Sequence, residues 1–284
     1  MFSNLNAPAI GVHASLPETI ALAQAHGFEG IDFSISEMAG LADRYGLDYV
    51  QDLFAAADIR PGAWDFPVNF RQDQATWQRG LEALPGLAGI AKKLGCDRTV
   101  TWIMPCSDEL EFNQNFKFHV DRLRPAAAIL ADHGCRLGLE FVGPKTLRDS
   151  QRYPFISSLA GMLELGQAID MGNIGLLLDS YHLYTSHGSI DEVRQLDNRD
   201  VVAVHLNDAP AGIPVDEQLD NVRTLPGETG IIEIVDFLQA LLAIGYDGPV
   251  TAEPFSQRLQ ALSPADAVRE TVLAMRRVWQ AVGL

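Results

Sequence analysis

GIAKKLGCDRTVTWIM, Gly89 to Met104, reads as the end of an amphipathic helix, a glycine stop, a short turn and a strand. Gly95 stands just past the last helical turn, where a residue free to adopt positive φ ends a helix without strain. Asp97–Met104 then has the length and β-branched content of a buried strand. The same junction returns along the chain. PETIALAQAHG, ending at Gly27, leads into GIDFSI from Gly30; AAAILADHGC leads into RLGLEFV from Arg136; LQALLAIGYDG leads into PVTAEPF from Pro249. Further strand-length runs begin at Ala9 (AIGVHA), Ile59 (IRPGAWDF), Ile174 (IGLLLDSYH) and Val201 (VVAVHLND). The expected strands therefore number eight, spaced about every 30 to 40 residues, with helical periodicity between them. A last helix is expected after Ser263-Pro264, an N-cap followed by Pro at the first helical position, with Val268, Val272, Met275 and Val278 on its inner face.

Eight successive βα units can close into a barrel or open into a doubly wound sheet. An open nucleotide-binding sheet usually carries G-x-G-x-x-G after its first strand, and that position reads GVHASLPE. The expected fold is thus α/β, a single (β/α)8 barrel, with residues 1–284 as one domain. Two longer segments after strands, Pro144 to Phe155 and Ala209 to Gly230, have the length of functional loops. The formal charge of −16, with basic residues scattered, opposes binding to nucleic acid. Cys96, Cys106 and Cys135 lack metal-type spacing and are odd in number, which suits reduced thiols. The opening MFSNLNAPAIGVHAS has no basic segment followed by a long apolar run, and no run approaches the roughly 20 apolar residues of a membrane span. These features lead to the expectation of a cytoplasmic protein with no membrane partner.

In such a barrel the functional site lies at the carboxyl ends of the strands, so polar residues closing apolar strands are the informative ones. Glu140 in LGLEFVG, Asp179 in GLLLDSYH, His205 in VVAVHLND and Glu253 in PVTAEPF close four successive strands. Any one of them alone would pass as a satisfied structural residue. Together they would place three carboxylates side by side, a costly arrangement unless a cation sits among them. Three carboxylates and one imidazole make a hard, mostly oxygen donor set suited to one divalent ion. Mn²⁺ comes first, with Mg²⁺, Co²⁺ or Zn²⁺ as alternatives. His182, three residues after Asp179, faces the same mouth or caps the next helix. Arg223 in RTLPGETG lies over the mouth or in solvent, and Lys145, after Gly143-Pro144, meets a substrate oxygen or is a plain surface lysine. Trp64 and Trp102 form an apolar wall against a sugar ring or belong to the core.

These residues resemble the xylose isomerase-like TIM-barrel superfamily, in particular the sugar phosphate isomerase/epimerase branch that includes inosose isomerase and the ketose 3-epimerases. The likeness is sharpest from LGLEFVG through GLLLDSYHLYTSHGS and VVAVHLNDAPAG to RTLPGETGIIE and TAEPF. It implies Glu140, Asp179, His205 and Glu253 as metal ligands, and His182 and Arg223 as groups that grip the substrate. Two departures stand out. Thr146 occupies the place where the ketose 3-epimerases carry a further glutamate, and the strand ends GAWDF and TWIMP lack the histidines of the three-metal endonucleases.

The expected activity is isomerisation or epimerisation of a sugar or inosose by proton transfer through an enediolate, with Glu140 and Glu253 exchanging the proton. A lyase acting on a keto-sugar, keto-inositol or dehydroshikimate-like substrate shares that first step and is the alternative. A nucleic-acid endonuclease and a non-catalytic sugar-binding barrel are further rivals. The partner is a small sugar or polyol, and a homodimer is compatible with this reading.

Overall fold

A computed structural model describes residues 1–284. Eight parallel strands close into one barrel: β1 (Phe2–Leu5), β2 (Gly30–Phe33), β3 (Arg60–Asp65), β4 (Arg98–Ile103), β5 (Arg136–Phe141), β6 (Ile174–Asp179), β7 (Val201–His205) and β8 (Pro249–Thr251). Each strand pairs with its neighbours in sequence, and β1 closes the ring on β8 with Phe2 opposite Pro249 and Asn4 opposite Thr251. The helix-closing glycines Gly27, Gly95, Gly134 and Gly245 all have φ between 70° and 78°, as their place after the last helical turn requires. The final helix runs Pro264–Ala281, with Ser263 Oγ accepting from the Asp266 N–H at 3.2 Å, and Val268, Val272, Met275 and Val278 are buried. No helix is long and apolar enough to cross a membrane.

Strand alternation sorts the side chains. On β5, Leu137, Leu139 and Phe141 join the large apolar core shared with the helices, while Gly138 and Glu140 take the other face. A second, small cluster of Ala63, Leu177 and Ala203, with Val100 against it, comes from β3, β6, β7 and β4. The residues two positions further along these strands are Asp65, Asp179, His205 and Trp102, so the small apolar layer is followed at the carboxyl end by a polar one.

The first strand differs from the sequence expectation. Ala9–Ala14 is not a strand: Pro8–Ile10 forms a 3₁₀ turn, which Gly11 ends at φ 80°. The true β1, Phe2–Leu5, sends a polar side chain inward, which hides it from a search for apolar runs. Asn4 is buried, and its Nδ2 donates to Asp32 Oδ1 at 2.7 Å and Thr251 Oγ1 at 2.9 Å. The sixth strand stops at Asp179, because the Asp179 carboxylate accepts from the Tyr181 N–H at 2.6 Å and starts the helix Ser180–Thr185. The eighth stops at Thr251, so Glu253 stands two residues beyond it.

Asn4 also explains a glycine. A Cβ on Gly62 would overlap Asn4 Oδ1, and the amide is held in place by its two hydrogen bonds. Gly62→Ala is therefore expected to destabilise the protein by about 1–3 kcal/mol through overpacking. Gly86, inside the helix Gln74–Lys93 and facing open space, is the control. Gly86→Ala should stabilise by about 0.5–1 kcal/mol. Urea denaturation of the two variants checks this, and equal effects would refute the close approach.

Candidate metal centre and substrate pocket

Glu140, Asp179, His205 and Glu253 come together at the carboxyl end of the barrel, each offering one ligand atom within 4.8 Å of the others. His205 Nδ1 lies 3.4 Å from Glu140 Oε1, 3.2 Å from Glu253 Oε2 and 3.9 Å from Asp179 Oδ2. Despite these short separations, Glu140 Oε1 and His205 Nδ1 are both buried with no hydrogen-bond partner of acceptable geometry. Buried polar atoms are rarely left so, and two orphans pointing into one acidic cluster fit a bound cation. The donor set, three carboxylates and one imidazole, suits a divalent ion.

A surrounding layer fixes two of the four, Asp179 and Glu253. Asn207 clips both: its Nδ2 donates to Asp179 Oδ2 at 3.1 Å, and its Oδ1 accepts from the Glu253 N–H at 2.7 Å. Arg223 is buried, and its Nη1 donates to Asp179 Oδ2 at 2.8 Å and Glu253 Oε2 at 3.1 Å. Its Nη2 donates to Asp220 Oδ1 at 3.1 Å and lies 3.2 Å from His182 Nε2. Tyr181 and Phe255 flank the guanidinium, each ring centroid 4.9 Å away. The segment carrying Arg223 is pinned by buried Asp208, whose carboxylate accepts from the N–H groups of Ala209, Thr229, Gly230 and Ile232.

Proton affinities follow from this crowding. Burial, together with the neighbouring Glu253 and Asp179 charges, pushes Glu140 up to about 7, although His205 acts against the shift. Burial alone would lower His205, but Glu253 and Glu140 outweigh it and raise that imidazole well above its ordinary value. Glu253 is also buried, yet His205 and Arg223 hold it below the usual carboxylate range. Burial and the Arg223 charge drive His182 down to about 3, so it is neutral.

A pocket of about 450 Å³ opens at the tetrad, and its lining includes Glu140, His205 and Glu253 together with Asp32, Trp64 and Trp102. Trp64 is 1% exposed and Trp102 45%, so the first is wall and core together and the second is rim. Three residues named from sequence lie elsewhere. His182 and Arg223 sit behind the tetrad, outside the lining, with Arg223 engaged by Asp179, Glu253 and Asp220. Lys145 begins the short helix Lys145–Arg148, where an i,i+4 ion pair with Asp149 holds its ammonium away from the pocket. Sequence reasoning passed over Asp32, Asn207, Asp208 and Asp220. Asp32 in GIDFSI is a carboxylate near the end of an apolar strand, the same signal that singled out Glu140. Asn207 and Asp208 follow His205 directly in HLND.

Residues 20–278 match the family described as xylose isomerase-like TIM barrel. The chain belongs to this family. The inosose isomerase of Halalkalibacterium halodurans is 22% identical over 259 residues, 90% of this chain and 89% of that protein. The 3-dehydroshikimate dehydratase of Pseudomonas putida is 25% identical over 255 residues, 89% of this chain but 38% of that protein. Among solved structures, a xylose isomerase domain protein from Alicyclobacillus acidocaldarius superposes with a TM-score of 0.89 at 30% identity, covering 99% of both chains. The IolI protein with a bound zinc atom superposes with a TM-score of 0.81 at 22% identity, covering both chains in full.

A cation entering the tetrad must displace the protons that Glu140 and His205 retain near neutrality. Affinity for Mn²⁺ should consequently rise with pH, by about 10-fold or more from pH 6 to 8, with proton release on binding. Calorimetric titrations in two buffers of different ionisation enthalpy measure both quantities. A pH-independent affinity would contradict the tetrad as the binding site.

Proposed function

We propose that the protein is a divalent-metal-dependent isomerase or epimerase of a keto sugar or inosose. The observation that carries this reading is that Glu140 and Glu253, from the β5 and β8 ends of the barrel, both line the substrate pocket as members of the tetrad. Glu140, Asp179, His205 and Glu253 would hold the ion. Mn²⁺ is the first choice for so oxygen-rich a set, and the zinc in the IolI structure keeps Zn²⁺ in view. A divalent cation bound there supplies positive charge beside the substrate oxygens, which lowers the barrier to removing a proton from the carbon next to a carbonyl.

The protein's own groups then move the proton. One glutamate takes it from carbon, and the other returns it at the neighbouring carbon or on the opposite face. Arg223 and Asn207 keep Asp179 and Glu253 in place through the transfer, so little reorganisation is needed. The likeness to inosose isomerases supports the substrate class. The likeness to 3-dehydroshikimate dehydratases favours a second reading, in which loss of a β-hydroxyl as water follows the same proton removal.

Incubating Mn²⁺-loaded protein in D₂O with inososes and ketoses should place deuterium on carbon without loss of water. Glu140→Gln and Glu253→Gln should each lower that exchange by about 10²–10⁴-fold. Metal content is measured alongside, and a variant that keeps both its ion and full turnover removes that glutamate from the chemistry. An ultraviolet-absorbing dehydrated product with no exchanged substrate would establish the lyase instead.

A further inference from the structure

Arg223 meets the tetrad on the oxygens that approach its histidine. Nη1 donates to Asp179 Oδ2 at 2.8 Å and to Glu253 Oε2 at 3.1 Å, and the same two oxygens lie 3.9 and 3.2 Å from His205 Nδ1. Two of the four donor groups thus already carry a full positive charge. Glu140 and His205 have no lysine or arginine against them.

The guanidinium is tied down on its other edge as well. Nε donates to the Asp220 carbonyl at 2.8 Å, Nη2 donates to Asp220 Oδ1 at 3.1 Å, and the Arg223 N–H donates to the Pro254 carbonyl at 3.2 Å. The side chain is 2% exposed between the rings of Tyr181 and Phe255, so water screens its charge weakly. Asp220 offsets that charge only in part, because its carboxylate meets the nitrogen away from the tetrad and its own side chain is 29% exposed. A cation in the tetrad must therefore share Asp179 and Glu253 with a fixed positive charge at close range. Three carboxylates less one guanidinium leave two negative charges, which a divalent ion cancels and a trivalent ion exceeds.

We infer that Arg223 is a charge filter built into the metal centre: its guanidinium limits how tightly the tetrad takes a cation, and disfavours trivalent ions more than divalent ones. The inference rests on the reading given above, in which the tetrad is the ion site. A purely structural clip and a fixed charge differ in sign. Loss of a clip leaves Asp179 and Glu253 less ordered and weakens the binding of every ion. Loss of a fixed positive charge strengthens binding, and the gain in the logarithm of affinity grows in proportion to the charge of the ion. A gain of about 10-fold for a divalent ion corresponds to about 30-fold for a trivalent one.

The test titrates the metal-free chain with Mn²⁺ and, separately, with Tb³⁺, and measures both affinities by calorimetry. Both ions displace the same protons from the tetrad, so the ratio of the two affinities reports charge alone. Arg223→Gln keeps a side-chain N–H donor and removes the charge; it should bind Mn²⁺ about 10-fold and Tb³⁺ about 30-fold more tightly than the unaltered chain. Arg223→Lys keeps the charge and loses the planar fork, and should leave the ratio unchanged. Asp220→Asn keeps an acceptor for Nη2 but exposes the tetrad to the full guanidinium charge, and should weaken Mn²⁺ by about 3-fold and Tb³⁺ by about 5-fold. It reads the same field with the opposite sign, so the test survives if Arg223→Gln does not fold. Weaker binding of both ions by Arg223→Gln at an unchanged ratio, or a lysine variant that behaves like the glutamine one, overturns the inference and leaves the metal centre standing. An unaltered chain that binds neither ion overturns the metal centre, and the inference with it.

Discussion

Three carboxylates cannot be held within 4.8 Å of a common imidazole in a buried place unless positive charge is brought to them. Much of the upper half of the barrel answers that constraint. Arg223 brings a guanidinium to Asp179 and Glu253, and Asn207 adds a neutral donor to Asp179. Glu140 receives neither, and its Oε1 is one of the two orphaned atoms. The arginine neutralises one side of the cluster and leaves Glu140 and His205 on the other, where raised proton affinities take up the charge that a cation would otherwise supply.

Arg223 can do this only if a long segment is rigid. Asp208, just before the Ala209–Gly230 stretch, exchanges two backbone hydrogen bonds with Thr224, at 3.0 and 2.9 Å, and Val215–Glu217 forms a 3₁₀ turn within the stretch. Asp208 holds both ends of it by accepting four backbone N–H groups, which gathers residues far apart in sequence at one carboxylate. Buried Gln218 ties the middle, donating to the carbonyls of Pro210 and Ile213 while its own carbonyl accepts from Thr146. A segment with the length of a functional loop is thus part of the fixed frame.

What the sequence made legible follows from which forces are local. Helix stops at Gly27, Gly95, Gly134 and Gly245 are set by backbone sterics within one turn, and strands β2 to β8 by apolar runs of a few residues, so the barrel could be read. β1 could not, because Asn4 faces inward and is stabilised by Asp32 and Thr251, partners 28 and 247 residues away. The tetrad was readable for the same reason as the strands: each member lies at or within two residues of a strand's carboxyl end. Arg223, His182 and Lys145 stand beyond strand ends, where direction depends on long-range pairing. Arg223 turned to the tetrad, and Lys145 turned to Asp149 four residues on.

The barrel divides its work by strand. β5 to β8 and the residues just past them supply the tetrad, while β1 to β3 and the segments after them supply Asn4, Asp32, Trp64 and Asp65. The two halves meet where β8 pairs with β1: Thr251 lies opposite both Asn4 and His205 in register, and its hydroxyl donates to Asp32. Asn4, Thr251 and Asp32 therefore link the tetrad to the pocket wall that carries Asp32 and Asp65 through a hydrogen-bonded chain across the seam of the barrel. Because packed interiors deform little, the spacing between the tetrad and that wall is set by strand register rather than by loops. A molecule entering the pocket must fit that fixed gap.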